Sequence, residues 1–234
     1  MNGLIALAGS GEYLPVMEDV DRHLLASLNV KTPRVVCLPT AAGQEGDESV
    51  KRWSRMGVEH FRKLGADATA LNIIDKASAN DERHVSMLES ADLIYFSGGN
   101  PNYLYETMNG SRAWTAMQKA WNSGAVYAGC SAGAMILAKR IPSFRLFGTV
   151  EGFAIMPAQF ILPHFDAAPI VLKPLIAALK ARLKNGQRMI GIDEDTALVG
   201  SLNGEWKVMG KSKVHVFTRA GNKTYASGQS LALA

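Results

Sequence analysis

Short apolar runs alternate with longer amphipathic stretches along most of this chain, and that alternation constrains the fold more than any other feature. The apolar runs lie at residues 4–8, 34–38, 68–71, 93–96, 126–128, 160–162, 189–192 and 197–199. Between them, residues 14–28, 50–64, 81–89, 103–109, 113–121, 134–138 and 171–183 carry helical patterns. Strand–helix alternation of this kind predicts βαβ units around a mostly parallel sheet, an α/β three-layer sandwich of the flavodoxin-like kind. Near-continuous apolar runs such as Leu93-Ile94-Tyr95-Phe96 suit strands covered on both faces. The end of the chain differs. Residues 205–209 and 214–218 read as strands with no helix between them, and Gly210-Lys211-Ser212 as their turn. They are expected to be antiparallel strands at the sheet edge, with His215 on that hairpin. No repeat or Pro-rich linker interrupts the pattern, so residues 1–234 are expected to form a single domain.

Apolar residues make up 47% of the chain and charged residues 20%, enough apolar material for a sizeable core. The net charge of +4 comes from scattered lysines and arginines rather than a cluster, and no nucleic-acid-binding motif accompanies them. No run approaches the roughly 18 apolar residues of a membrane span, and the N-terminus lacks the basic leader of a secretory signal. The two cysteines, Cys37 and Cys130, offer neither metal-ligand spacing nor a disulfide framework. A cytoplasmic protein is expected, without nucleic-acid or membrane partners; a homodimer is left open.

In such a fold the chemistry sits in loops at the carboxyl ends of the parallel strands. One of those loops reads Gly129-Cys130-Ser131-Ala132-Gly133, between a buried-strand pattern and the apolar Met135-Ile136-Leu137. A nucleophile elbow needs small residues two positions either side of the nucleophile, because strand and helix backbones approach closely there. Ser131 is therefore the candidate nucleophile. Centring the motif on Cys130 loses the flanking glycines, so Cys130 is read as a small buried residue. Gly98-Gly99-Asn100 follows another strand; the Gly99 and Ala132 amides are the expected oxyanion hole, with Asn100 a substrate-binding candidate.

A serine nucleophile needs a base. His23, His60 and His84 fall in amphipathic stretches among charged residues and read as surface positions. His164 follows Phe160-Ile161-Leu162-Pro163, where a strand ends and a loop begins, and is the candidate base. For the acid that would orient it, Asp166, Asp193, Glu194 and Asp195 all remain candidates. Gly9-Ser10-Gly11-Glu12 hints at a dinucleotide fingerprint, but Leu14 stands where the third glycine belongs, so no nicotinamide or flavin is expected.

Taken in order, Gly9-Ser10-Gly11-Glu12, Phe96-Ser97-Gly98-Gly99-Asn100, the Ser131 elbow, Pro163-His164-Phe165 and Gly191-Ile192-Asp193-Glu194-Asp195-Thr196-Ala197 resemble the serine peptidase family that contains aspartyl dipeptidase (peptidase E) and cyanophycinase. The resemblance spans about residues 4 to 200 and implies a fold like that of class I glutamine amidotransferases. It implies a cofactor-free Ser-His-Glu triad, placed by motif on Ser131, His164 and Glu194, acting on short peptides with an aspartyl or β-aspartyl residue. One departure stands out. Cyanophycinase-like members carry arginines shortly after the catalytic histidine, whereas the nearest cation here is Lys173, with Arg145 between the elbow and the base. These two are the substrate-binding candidates for an acidic side chain. Three alternatives accompany this reading: a glutamine amidotransferase-like enzyme acting through Cys130, an amidase or esterase with the same triad, and a non-catalytic metabolite-binding protein.

Overall fold

A computed structural model describes residues 2–143 and 148–233. Five parallel strands form its centre: β1 (Ile5–Ala8), β2 (Arg34–Leu38), β3 (Asp67–Ala70), β4 (Leu93–Phe96) and β5 (Val126–Cys130), in the spatial order β1-β5-β4-β2-β3. Helices α1 (Glu18–Ser27), α2 (Asp47–Lys63), α3 (Glu82–Glu89), α4 (Pro101–Met108) and α5 (Arg112–Asn122) connect them. Side chains alternate across a strand, so each strand feeds two cores. Val36, Leu38, Ile94 and Phe96 pack with Leu104 and Trp114 on one face. Val35, Cys37, Leu93 and Tyr95 pack with Leu24 and Phe61 on the other. The result is the expected three-layer α/β arrangement.

Beyond β1 the sheet continues through antiparallel strands: β10 (Thr196–Gly200), β11 (Trp206–Gly210) and β14 (Ser230–Leu231). Here the expected hairpin fails. β11 pairs with β10 in the main sheet, while β12 (Lys213–Thr218) pairs with β9 (Arg188–Ile192) and β13 (Asn222–Ala226) in a second sheet. That sheet also holds β8 (Phe160–Leu162), parallel to β9. The turn after β11 carries the chain from one sheet to the other, because Val214 is needed opposite Ile192 rather than beside β11. Strand pattern alone does not identify the partner. Helix α7 (Lys173–Ala181) covers the second sheet, with Leu179 packed against Phe160, Leu162 and Met189. A short ribbon of β6 (Arg140–Ser143) and β7 (Gly148–Glu151) follows α6 (Ala132–Met135).

His60 is a second correction. It lies in α2 but is buried, with Nε2 2.8 Å from Oδ2 of the equally buried Asp21 on α1. The two helices pack side by side on the sheet, which turns an apparent surface histidine into an interhelical contact. No helix among the described residues is long and apolar enough to cross a membrane.

Candidate active site

The elbow is built by sterics. A Cβ on Gly129 would lie 2.4 Å from the Gly133 carbonyl oxygen, and one on Gly133 would lie 2.7 Å from the Phe96 oxygen. Only glycines let β5, α6 and β4 approach this closely. Ser131 stands between them with φ 49° and ψ −107°, a conformation a non-glycine residue holds at a cost of about 1–3 kcal/mol. Its amide donates to the Ala8 carbonyl at 3.0 Å, which extends the β1–β5 pairing to the apex of the turn.

His164 approaches from the loop after β8, also with positive φ, 49°. Its Nε2 lies 3.2 Å from Ser131 Oγ, and its Nδ1 lies 2.9 Å from Glu194 Oε1. A carboxylate accepts only, so Nδ1 carries the proton it donates to Glu194, and Nε2 is left to accept from the serine hydroxyl. The histidine and glutamate side chains are 44% and 46% exposed, so water screens their attraction.

The four candidate acids occupy distinct places. Asp166 Oδ1 accepts from the Glu194 amide at 2.8 Å and so holds the backbone of the residue that faces His164. Asp193 is buried, accepting from Ser212 Oγ at 2.8 Å and lying 3.0 Å from His215 Nε2. Its side chain therefore ties β9 to β12 and not to His164. The Asp195 amide donates to Ser10 Oγ at 3.0 Å, and its carboxylate lies 3.7 Å from Lys211 Nζ. Glu194 is the acid that meets the histidine.

Glu12, which the sequence offered only as part of a weak dinucleotide pattern, lies buried beneath the elbow. Its carboxylate accepts from the Gly98 amide and from the Cys130 thiol, both at 2.9 Å. Burial first, and then the Glu12 charge, push the Cys130 thiol well above its ordinary value. With its side chain wholly buried, Cys130 is protonated and shielded. Gly99, at φ 139°, passes so close to Ala41 that a Cβ would lie 2.5 Å from its carbonyl. Neither the Gly99 nor the Ala132 amide has a hydrogen-bond partner among the described residues.

A cavity of about 480 Å³ opens beside Ser131 and His164. Gly99 and Asn100 lie on its wall. The Asn100 side chain is already engaged, capping α4 through Oδ1 and donating to Gln44 Oε1 at 3.1 Å. Lys173 is exposed at the start of α7 and does not line the cavity. Arg145 lies outside the described residues. Among the described residues, no three of His, Cys, Asp and Glu are grouped so as to hold a metal ion.

Comparison with known proteins agrees with the motif order. The model of peptidase family S51 matches residues 4–204. A crystal structure of a peptidase from an acI-B1 Actinobacterium superposes with a TM-score of 0.90 at 34% identity, covering 99% of this chain and 97% of that one. An uncharacterised peptidase of Bacillus subtilis, YgaJ, is 29% identical over 71% of this chain and 70% of its own length. The cyanophycinase of Synechococcus elongatus is 25% identical over 67% of this chain, which spans only 51% of that enzyme. The chain belongs to peptidase family S51, and it is a serine peptidase.

Proposed function

We propose that this family S51 peptidase cleaves short peptides by acyl transfer through Ser131, with His164 as general base and Glu194 as the residue that orients it. The observation that carries the reading is the unbroken contact from Glu194 Oε1 through both ring nitrogens of His164 to Ser131 Oγ, at 2.9 and 3.2 Å.

In the first step, Ser131 Oγ attacks the scissile carbonyl carbon as its proton passes to His164 Nε2. The Gly99 and Ala132 amides donate to the oxyanion that forms. Collapse of the tetrahedral adduct breaks the C–N bond, and His164 returns the proton to the leaving amine. Water then attacks the acyl ester, losing its proton to His164, and the acid product leaves as Ser131 regains its hydrogen. Glu194 keeps the imidazole in the Nδ1–H tautomer and favours the imidazolium.

The aspartyl selectivity implied by the family resemblance needs a cationic or multiply hydrogen-bonding partner in the site. Lys173 lies off the cavity wall and Arg145 lies outside the described residues, so short peptides, rather than aspartyl peptides in particular, are the substrate this reading carries. Reaction through Cys130 is opposed by that thiol's burial and protonation.

Fluorophosphonate labelling followed by peptide mapping tests the assignment. The adduct should fall on Ser131 and vanish in Ser131→Ala and His164→Ala. Ser131→Ala should lower peptide turnover by roughly 10³- to 10⁶-fold. An adduct on another residue, or undiminished turnover in folded Ser131→Ala, would discard the triad.

A further inference from the structure

The cavity beside Ser131 has apolar walls. Leu162 ends β8, Met135 ends α6, and Leu172, Leu175, Ile176 and Leu179 present one side of α7 and the turn before it. Among the described lining residues there is no lysine, arginine, aspartate or glutamate, and His164 is the one titratable group. The volume of about 480 Å³ falls within the roughly 300–1,000 Å³ typical of small-ligand pockets. The turn that carries Leu172 also bears an exposed apolar residue. Ile170, two residues before Leu172, is 79% exposed, the most exposed large apolar side chain among the described residues.

We propose that this cavity selects substrates by an aliphatic or aromatic side chain flanking the scissile bond, and that an aspartyl side chain is disfavoured there. The inference rests on the Ser131 reading above, since the cavity is taken as the place where substrate meets the nucleophile. The reason is desolvation. A leucyl or phenylalanyl side chain leaving water for this wall gains its transfer free energy. An aspartate would lose its hydration with no cation opposite it among the described lining residues. A pocket of this kind separates leucine from alanine by about tenfold or more.

Binding to Ser131→Ala protein tests this independently of the chemistry. The probes are Leu-Ala, Ala-Leu, Ala-Ala and Asp-Ala, titrated calorimetrically. One of the two leucyl dipeptides should bind about tenfold more tightly than Ala-Ala, and Asp-Ala more weakly than either. Placing a cation in the wall with Ile176→Arg, in the same Ser131→Ala background, should raise the Asp-Ala to leucyl affinity ratio at least tenfold. A ratio taken within one preparation does not depend on the fraction folded. Equal or undetectable binding of both leucyl dipeptides, or tightest binding of Asp-Ala, overturns the apolar selection whatever the labelling shows. Loss of the fluorophosphonate adduct at Ser131 overturns the triad instead, so the two failures are distinguishable.

Discussion

Glu12 accepts a hydrogen bond from the Gly98 amide at 2.9 Å, across 86 residues of sequence, and with its other oxygen holds the thiol next to Ser131. One buried carboxylate thus joins the loop after β1 to the glycine turn after β4 and to the elbow after β5. A Cβ on Gly98 would lie 2.9 Å from Glu12 Oε1 and 3.3 Å from Ser131 Cβ, so the three loops are packed without slack. Glu12→Ala leaves a buried N–H unpaired and should cost about 1–3 kcal/mol in urea unfolding. Turnover should fall with it, because the neighbouring Gly99 amide loses its support. Glu12→Gln retains an acceptor oxygen and should recover most of the stability. An alanine variant as stable and as active as the wild type would show that the contact positions nothing.

The contacts of Glu194 and Asp166 separate orienting the base from placing the residue that orients it. Glu194→Gln should reduce kcat by about 10²- to 10⁴-fold, since an amide favours the other imidazole tautomer. Partial exposure of the pair places the expectation toward the lower end. Asp166→Asn should cost less, because its contact is to the Glu194 backbone. Steady-state kinetics of the two variants, with circular dichroism to check folding, decides. A near-normal Glu194→Gln beside an inactive Asp166→Asn would exchange their roles.

Both thiols should be inert in the native protein. Burial pushes the Cys37 thiol up to about 12, and Cys130 is shifted in the same direction. A raised pKa keeps the thiol protonated at pH 8 and so unreactive. Iodoacetamide at pH 8 should leave both unmodified in folded protein and label both after denaturation. Rapid native alkylation of Cys130 would revive it as a nucleophile.

Acid should weaken the contact between the first two helices. Hydrogen bonds from Lys63 on α2 and Arg22 on α1 hold the Glu18 carboxyl at about 2, against an ordinary 4.5. A folded value below the unfolded one gives stability that is present above pH 4.5 and disappears as pH falls through about 2. Wild type should therefore be more stable than Glu18→Gln at pH 6, with the difference closing by pH 2. The effect should be small and shrink with added salt, because the pair is exposed. A difference that grows on acidification would have the wrong sign for this mechanism.

The elements and the site were legible to different depths. The Gly-x-Ser-x-Gly turn could be read directly because its requirement is local: small residues where two backbones meet. His164 could be read because it ends a strand on the side where such folds place their loops. Glu12 and His60 could not, since nothing local separates a buried carboxylate or imidazole from a solvated one. The partners that bury them, Gly98 and Cys130 in one case and Asp21 in the other, lie far away in sequence.

By itself, then, the sequence determined the parallel α/β core, the elbow and the loop that carries the histidine, because periodicity and steric fit act over a few neighbouring residues. Tertiary structure decided three things that local pattern left open. It sent β11 and β12 into different sheets. It turned Glu194, rather than Asp193 or Asp195, toward His164. It lined the cavity with the apolar side of α7 and left Lys173 outside it. Each depends on which long-range surfaces meet, and successive acids or similar strands have no local property that makes that choice.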